Sequence, residues 1–467
     1  MIPTTLGAVA EITGGRLHGC SAQEADEILV DGPVVTDSRE AAPGSLYIAR
    51  VGEHADGHEF VPAAAKGGAV AAITTREVEG LPAVVVADEQ AAFVALARHL
   101  VDSRPDLTVL GITGSSGKTS TKDLLGAVLQ GDGETIAPVG SYNSEVGVPL
   151  TVCRVTPTTK HLVVEMGARG IGHIDYLTRI APPRIGIVLN VGHAHVGEFG
   201  SVEAIGQAKG ELPAALPEDG VAVLNADDPI VAAMASRTRA RVVLVGEAPE
   251  AEVRATDVTL DDAGRASFTV TAPFGTARVD LALVGRHHVG NALAVIAAAH
   301  AAGMELEPIV AALATARAAS RWRMEVIVRP DGTTIVNDAY NANPDSMSAA
   351  LHSVAGMAAE GRRWAVLGAM LELGDDAPVL HAQVGAQVAA LGFDELLVVG
   401  EDALPTADGA REAGVPTLRV RTVPDADAAE EILSAELGGQ DVVLFKSSRD
   451  AGLRWLGDRI VQWEARA

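Results

Sequence analysis

At 467 residues the chain exceeds one ordinary domain, and about two to four domains are expected. A hydrophobic fraction of 48% excludes disorder as the default, and with aromatics at 3% the cores must be built from Ala, Val, Leu and Ile. The formal charge of -25, from 61 acidic against 36 basic residues, excludes bulk attraction to nucleic acid or anionic membrane. Any anionic ligand must then be met by a local pocket of amide N–H, Lys, Arg and metal.

The opening "MIPTTLGAVAEITGG" has no basic region before its short apolar run, so no export signal is expected. Cys20 and Cys153 have no spacing partner, which fits a reducing compartment and excludes a Cys-based zinc site. In the first hundred residues "GSLYIARV" and "AVAAITT" read as strands. "EQAAFVALARHLVDS" reads as an amphipathic helix that ends before a boundary at Pro105. From "LTVLGIT" onward strand, loop and helix repeat, with strands at "KHLVVEMG", "RIGIVLNVG", "GVAVLNAD" and "RVVLVGE", the grammar of a covered parallel sheet. Residues 253–285 turn β-rich and predict an antiparallel insertion or edge, followed by the helix "GNALAVIAAAHAAG". Beyond Arg321 a hairpin is expected around Asp331-Gly332, and "RRWAVLG", "ELLVVG" and "DVVLFK" give three more strands between helices. No apolar run approaches the roughly 20 residues that span a bilayer. The expectation is a soluble, cytoplasmic α/β protein of three domains, at 1–104, 105–318 and 319–467, and a monomer.

The sharpest chemical signal is "LGITGSSGKTSTKDLL", Leu110 to Leu125. It sits between an apolar strand and a helix, as a phosphate loop must. Gly114, Ser115, Ser116 and Gly117 let backbone N–H groups turn toward phosphate oxygens, and the helix N-terminus adds partial positive charge. Lys118 would reach the outer phosphates, Thr119 could ligate Mg2+, and Ser120 continues the loop. The strict pattern would place a glycine at position 112, which is Ile112. Read alone, the loop says nucleotide and no more.

Glu165 ends the strand of "VVEMGARGIGHID", where a carboxylate can hold Mg2+ or merely cap a helix. His193 and His195 follow the next strand and could bind metal or phosphate. Lys209, in "EAIGQAKGEL", reads as a solvated helix lysine. Asn291 lies in the first turn of a helix, Arg321 and Arg323 flank Trp322, and Asp338 ends a strand before the polar run "AYNANPDSM". That run is either a loop with an N-cap or a ligand site.

Together and in this order the motifs resemble the ATP-dependent Mur ligases, which build the peptide of bacterial cell-wall precursors. The resemblance extends over nearly the whole chain and is carried by "TGSSGKTS", "YNSEVGVPLT", "VVEMGARGIGHI", "AHVGEFGS", "AKGEL", "NALA", "RMEV", "NDAYNANPDSM", "VLGAMLELG" and "KSSR", with "TDSREAAPGSLYIARVGEHADGHEF" near the N-terminus similar to the family's UDP-sugar domain. The missing glycine is itself a mark of the family's TGxxGKT loop. Within the family the blocks are most similar to ligases that add D-alanyl-D-alanine to a UDP-N-acetylmuramoyl tripeptide. The resemblance implies a UDP-sugar domain, a central ATP domain and a Rossmann-like C-terminal domain. It also implies ATP, Mg2+ at two sites and a carbamate on Lys209.

Residue by residue, it gives Lys118 the phosphates, Thr119 and Glu165 one Mg2+, and His195 and Lys209 the second metal. Asn291 would approach adenine, with Arg323 (preferred to Arg321 by its spacing to Asp338) and Asp338 reaching ATP from the third domain. Ser38, Arg39, Asp56, His58 and Asn143 fall in blocks tied to the UDP-muramoyl substrate. Tyr340, Asn341, Asn343, Lys446, Ser448 and Arg449 fall in the segments tied to the incoming dipeptide. One departure is His287-His288, where the family commonly has His-Asn.

A carboxylate is a poor acyl donor, so such a ligase first makes an acyl phosphate from ATP and then accepts an amine. Sibling ligases adding a diamino acid, and folylpolyglutamate synthase, share the loop. The diamino-acid ligases usually carry a DNPR-type motif that this chain lacks. A P-loop kinase or motor would leave the third-segment motifs unexplained, and a non-catalytic scaffold would not need Lys118, Glu165, His195 and Lys209 intact.

Overall fold

The computed structural model describes residues 1–52, 55–192 and 196–463. The fold is α/β and its strands fall into three main sheets, one in each successive part of the chain. The first has five strands in the order Arg16–His18, Ala83–Val85, Ala69–Thr74, Ser45–Ile48, Val34–Val35, with only the first pair antiparallel. A two-stranded pair, Thr4–Thr5 with Leu29–Val30, is separate from it.

The second sheet has nine strands and is parallel through its centre, where Thr108–Thr113 lies between His161–Glu165 and Ile185–Val188. Those central strands are buried on both faces, which explains their unbroken runs of Val, Ile and Leu. Val253–Leu260, Arg265–Ala272 and Gly275–Val284 add an antiparallel edge, as the period-2 pattern of 253–285 predicts.

The third sheet has six strands in the order Glu325–Val328, Thr334–Asn337, Val442–Lys446, Arg363–Leu367, Glu395–Val399, Arg419–Val423. Its first pair is the expected hairpin around Asp331-Gly332, and the rest is parallel. The last strand, "RVRTV", is one that the sequence reading passed over. It is a partly exposed edge rich in arginine and lacks the apolar signature of its neighbours.

Packing ties the parts together unequally. The helix Glu89–Asp102, capped by the Asp88 side chain, buries Phe93, Leu96 and Leu100. These join one continuous core with Val148, Leu162, Leu177 and Leu212 of the second part. The third part keeps its own cores on the two faces of its sheet, one around Met347, Leu351 and Leu396 and one around Trp364, Phe445 and Leu456. Parts one and two are therefore welded by extensive apolar burial, whereas the third meets them through a linker near residue 320, a smaller apolar contact at Val284, the backbone bond of Ala358 N on Asp262 O, and polar contacts around a cleft. No helix among the described residues is long and apolar enough to cross a membrane.

Candidate active site

The central sheet sets up the site. Adjacent parallel strands end together, so Thr113, Glu165 and Val188 carry their following loops to one edge. The loop after Thr113 turns through Gly114 and Gly117, and Gly117 adopts φ +80°, a left-handed conformation that a side chain would disfavour. A Cβ on Gly117 would also meet Asn291 Oδ1 at 2.9 Å. The helix Lys118–Leu129 then begins with no side-chain cap, leaving its first N–H groups open to an anion.

A cleft of about 1020 Å³ opens over this edge. Ser115, Ser116, Gly117, Lys118, Thr119, Ser120, Asn143, Glu165, Lys209 and Asn291 line it from the central part. Arg323, Asp338, Tyr340, Asn341, Asn343, Lys446, Ser448 and Arg449 line it from the third part. Gly114 is not among the lining residues. Ser38, Arg39, Asp56 and His58 are not among the lining residues. His58 is buried and spends both ring nitrogens inside its own segment: Nε2 accepts from the Thr75 backbone N–H at 2.9 Å, so Nδ1 carries the proton and donates to Asp56 Oδ1 at 2.6 Å. The His58 amide, Arg76 and the His58 ring hold the Asp56 carboxyl far below its usual range. His193 and His195 lie outside the described residues.

Glu165 is the hub. Its Oε2 accepts from Thr119 Oγ1 at 2.9 Å, and its Oε1 accepts from Ser141 Oγ at 2.7 Å and Asn143 Nδ2 at 2.8 Å. Arg323 Nη2 approaches Thr119 Oγ1 at 3.3 Å, and its guanidinium lies 4.3 Å from the centre of the Tyr340 ring. Arg321 turns away to Asp458 at 2.8 Å. Lys118 Nζ donates to Gly114 O at 2.8 Å, folded back on its own loop. Burial lowers its pKa, opposed by Glu165 and aided by Arg323.

Lys209 contradicts the expectation of a solvated helix lysine. It is 5% exposed and lines the cleft, and burial together with the charge of Lys118 pushes its ammonium down to about 7. The pattern "EAIGQAKGEL" hid this because the Val202–Lys209 helix ends with its last residue turned inward.

Among the described residues no group of three or more His, Cys, Asp or Glu side chains is placed to hold a metal ion. The Thr119 hydroxyl and Glu165 carboxylate are hard oxygen donors, and such a pair suits Mg2+, which keeps several waters and takes few protein ligands. The residues present fit that ion.

Asn190 and Ser141 are site residues that the sequence reading did not select. Asn190 holds the phosphate loop, its backbone carbonyl accepting from Ser115 N at 3.1 Å and its Oδ1 from Ser116 N at 2.9 Å. Only the adjacency of its strand to Thr108–Thr113 brings it there. The departure at 288 is also resolved: His288 is buried beneath Asn291, which donates Nδ2 to His288 Nδ1 at 3.2 Å, while His287 lines the cleft.

In the third part Lys446 is buried and pairs with Asp338 Oδ2 at 2.5 Å, and Asp338 Oδ1 accepts from the Met324 N–H at 3.0 Å. Burial lowers the Lys446 pKa against the pull of Asp338. Asn343 caps the Pro344–Ala355 helix and shares a capping box with Ser346. Ser448 Oγ accepts from Leu371 N at 3.0 Å. These three brace the loops as well as lining the cleft, alongside Tyr340, Asn341 and Arg449.

Family models match in three blocks: the Mur ligase family catalytic domain over residues 33–101, the Mur ligase middle domain over 112–299 and the Mur ligase glutamate ligase domain over 322–449. The chain is 44% identical to the UDP-N-acetylmuramoyl-tripeptide--D-alanyl-D-alanine ligase of Mycobacterium tuberculosis, over 99% of this chain and 98% of that one. It is 36% identical to the ligase of the same name from Escherichia coli K12, over 88% and 90%. Among solved structures, MurF from Acinetobacter baumannii superposes with a TM-score of 0.86 at 29% identity, over 99% of both chains. MurF from Thermotoga maritima in complex with ADP gives 0.78 at 26% identity, over 92% and 99%. A three-part α/β fold, a glycine-rich loop facing Arg323 of the third part across one cleft, and full-length identity at this level agree: the chain belongs to the Mur ligase family.

Proposed function

We propose that the chain joins D-alanyl-D-alanine to the terminal carboxylate of a UDP-N-acetylmuramoyl tripeptide, at the expense of ATP. The observation that carries this reading is the single cleft in which Lys118, Thr119, Glu165 and Lys209 face Arg323, Asp338, Tyr340 and Asn341. ATP-gripping groups and amine-receiving groups thus share one space. The functional boundaries we assign are 1–104 for the UDP-muramoyl substrate, 105–318 for ATP, and 319–467 for closure over ATP and for the dipeptide.

The tripeptide carboxylate attacks the γ-phosphorus, forming a C–O–P bond and releasing ADP. The dipeptide amine then attacks the acyl carbon, loses a proton, and expels inorganic phosphate. Carboxylate and triphosphate are both anionic, so their approach needs fixed positive charge. Lys118, freed from Gly114, reaches the outer phosphates, and the open N–H groups at the start of its helix hold the inner ones. Arg323 covers the transferring group from the other wall, and Asn291 and His287 border the adenine end. Thr119 and Glu165 would hold Mg2+, which supplies charge neutralisation at the phosphates.

Lys209 and His195 would hold a second Mg2+, with Lys209 as a carbamate. A neutral amine is what adds to carbon dioxide, giving R–NH–COO⁻ and one proton, and the lowered pKa of Lys209 supports that step. Asn143, with the Ser38–Arg39 and Asp56–His58 segments, belongs to the UDP-muramoyl side of this reading. Holding three substrates together lowers the entropic barrier.

A panel of acceptors tests the assignment. With Mg-ATP and the tripeptide precursor, D-alanyl-D-alanine should be consumed, while glutamate and diamino acids should not. Preference for a single amino acid would move the chain to a sibling activity.

A further inference from the structure

Deep beside the phosphate loop, two consecutive residues of its helix form a buried ion pair that the reaction described above does not use. Lys122 is 1% exposed and Asp123 is 6% exposed, and Lys122 Nζ lies 2.7 Å from Asp123 Oδ1. Neighbours in a helix point about 100° apart, so both side chains are drawn toward something specific. Lys122 Nζ also donates to the carbonyls of Pro138 and of Gly140, the latter at 3.0 Å. Asp123 Oδ2 accepts from the Ser320 N–H at 2.8 Å, and its Oδ1 accepts from Ser320 Oγ at 3.2 Å. Ser320 Oγ closes the circuit by accepting from Gly140 N at 3.0 Å.

The two segments pinned here are those that lead into the site. One residue past Gly140 is Ser141, which holds Glu165. Three residues past Ser320 is Arg323, which reaches Thr119. The backbone that presents Arg323 is strained: Trp322 at φ +58° and Met324 at φ +51° both lie in the left-handed region without being glycine. Such a turn persists where the contacts around it over-determine it, and Glu325, accepting from Trp322 N at 3.1 Å, and Asp458, accepting from Trp322 Nε1, help to hold it. Asp338 holds it from the third part, through the Met324 N–H at 3.0 Å. Asp123 holds it from the central part, through Ser320.

We propose that Asp123 is a positioning residue, fixing through Ser320 the strained turn that sets Arg323 over the phosphate loop, so that the arginine arrives in register with Thr119 and Glu165. The proposal rests on the ligase reading for its chemistry, but the coupling it describes is between this chain's own residues. A plain structural ion pair would stabilise the helix and do nothing else.

The test is a double-mutant cycle with Ser320→Ala, Asp123→Asn and Arg323→Ala, read as kcat, as KM for ATP and for the muramoyl tripeptide, as melting temperature, and as Kd for Mg-ADP by calorimetry. Ser320→Ala removes one hydroxyl and keeps the backbone donor, so it decides the matter if Asp123→Asn does not fold. The expected result is a fall of about tenfold in kcat and a several-fold weaker Mg-ADP Kd, with KM for the tripeptide within about twofold. On the Arg323→Ala background the same substitutions should change kcat and Kd by less than about twofold. A lowered melting temperature with unchanged kinetics and Kd, or an undiminished effect on the Arg323→Ala background, would overturn the proposal. Should the parent fail to consume dipeptide, the ligase reading falls, and the same cycle read in Mg-ADP affinity decides the coupling.

Discussion

Lys209 and His288 illustrate how burial decides the chemistry of a single side chain. Lys209 sits at the back of the cleft with its pKa near 7, and in our account it acts as a carbamate anion and not as a cation. Lys209→Ala should therefore lower turnover by about 100-fold or more. Intact mass under bicarbonate should show a carbon dioxide adduct on the parent that the variant lacks; equal adducts on both would place it elsewhere.

His288 is kept neutral by burial, with the charge of His287 adding to the effect, so its pKa lies well below 6.5. The unfolded chain takes up a proton at this position below about pH 6.5 and the folded chain resists it. Its contribution to stability is thus complete above that pH and is lost as pH falls, by on the order of 1 kcal/mol per unit. His288→Asn should flatten the drop in melting temperature between pH 7.5 and 5.5; an unchanged drop would mean that His288 is not the group responsible. Lys118 and Thr119 were legible in the sequence because their signal is contiguous. Asn190 and Ser141 were not, since only strand adjacency makes them neighbours of the loop. His58 came into view only through the resemblance of its block, since an isolated histidine gives no sign in sequence of the partners its ring takes within its own segment.

At the scale of elements, the Glu89–Asp102 helix joins two parts of the chain. Phe93, fully buried on it, contributes to a core shared with Leu162 and Leu177. Phe93→Ala should destabilise the protein by about 3–5 kcal/mol through the cavity it leaves. Because that core is continuous, chemical denaturation should show the first two parts unfolding in one transition; two separated transitions for them would contradict the shared core. Strands whose buried faces demand runs of Val, Ile and Leu were plain from composition, as was the alternating edge at 253–285. Arg419–Val423 was not, because an edge strand with three exposed or half-exposed polar side chains carries no such run. The sharing of one core by two segments is equally invisible in a linear pattern, since it depends on which helix faces pack.

For the whole molecule, the account requires the third part to meet the central part around bound substrates. The structure contains that meeting at several points, among them Arg323 against Thr119, Ser320 against Asp123, Ala358 N on Asp262 O, and Gly197 against the 372–374 turn. Gly197 N donates to Glu372 O at 3.3 Å, and a Cβ on Gly197 would lie 2.6 Å from Gly374 N and 3.0 Å from its Cα. Gly197→Ala should hold the parts off each other, lowering kcat by about tenfold and weakening ADP binding several-fold, because Arg323 reaches the nucleotide side from the third part. Parental kcat in that variant would show that this approach is not needed.

The central claim is that ATP is spent on a carboxylate that then accepts an amine. It is tested most directly with a tripeptide precursor carrying a heavy-oxygen label in its terminal carboxylate. Phosphate should be released only when Mg-ATP, the labelled precursor and D-alanyl-D-alanine are all present, and each phosphate should carry one labelled oxygen from the carboxylate. Phosphate released without the dipeptide at the same rate, or released free of label while amide forms, would contradict the account.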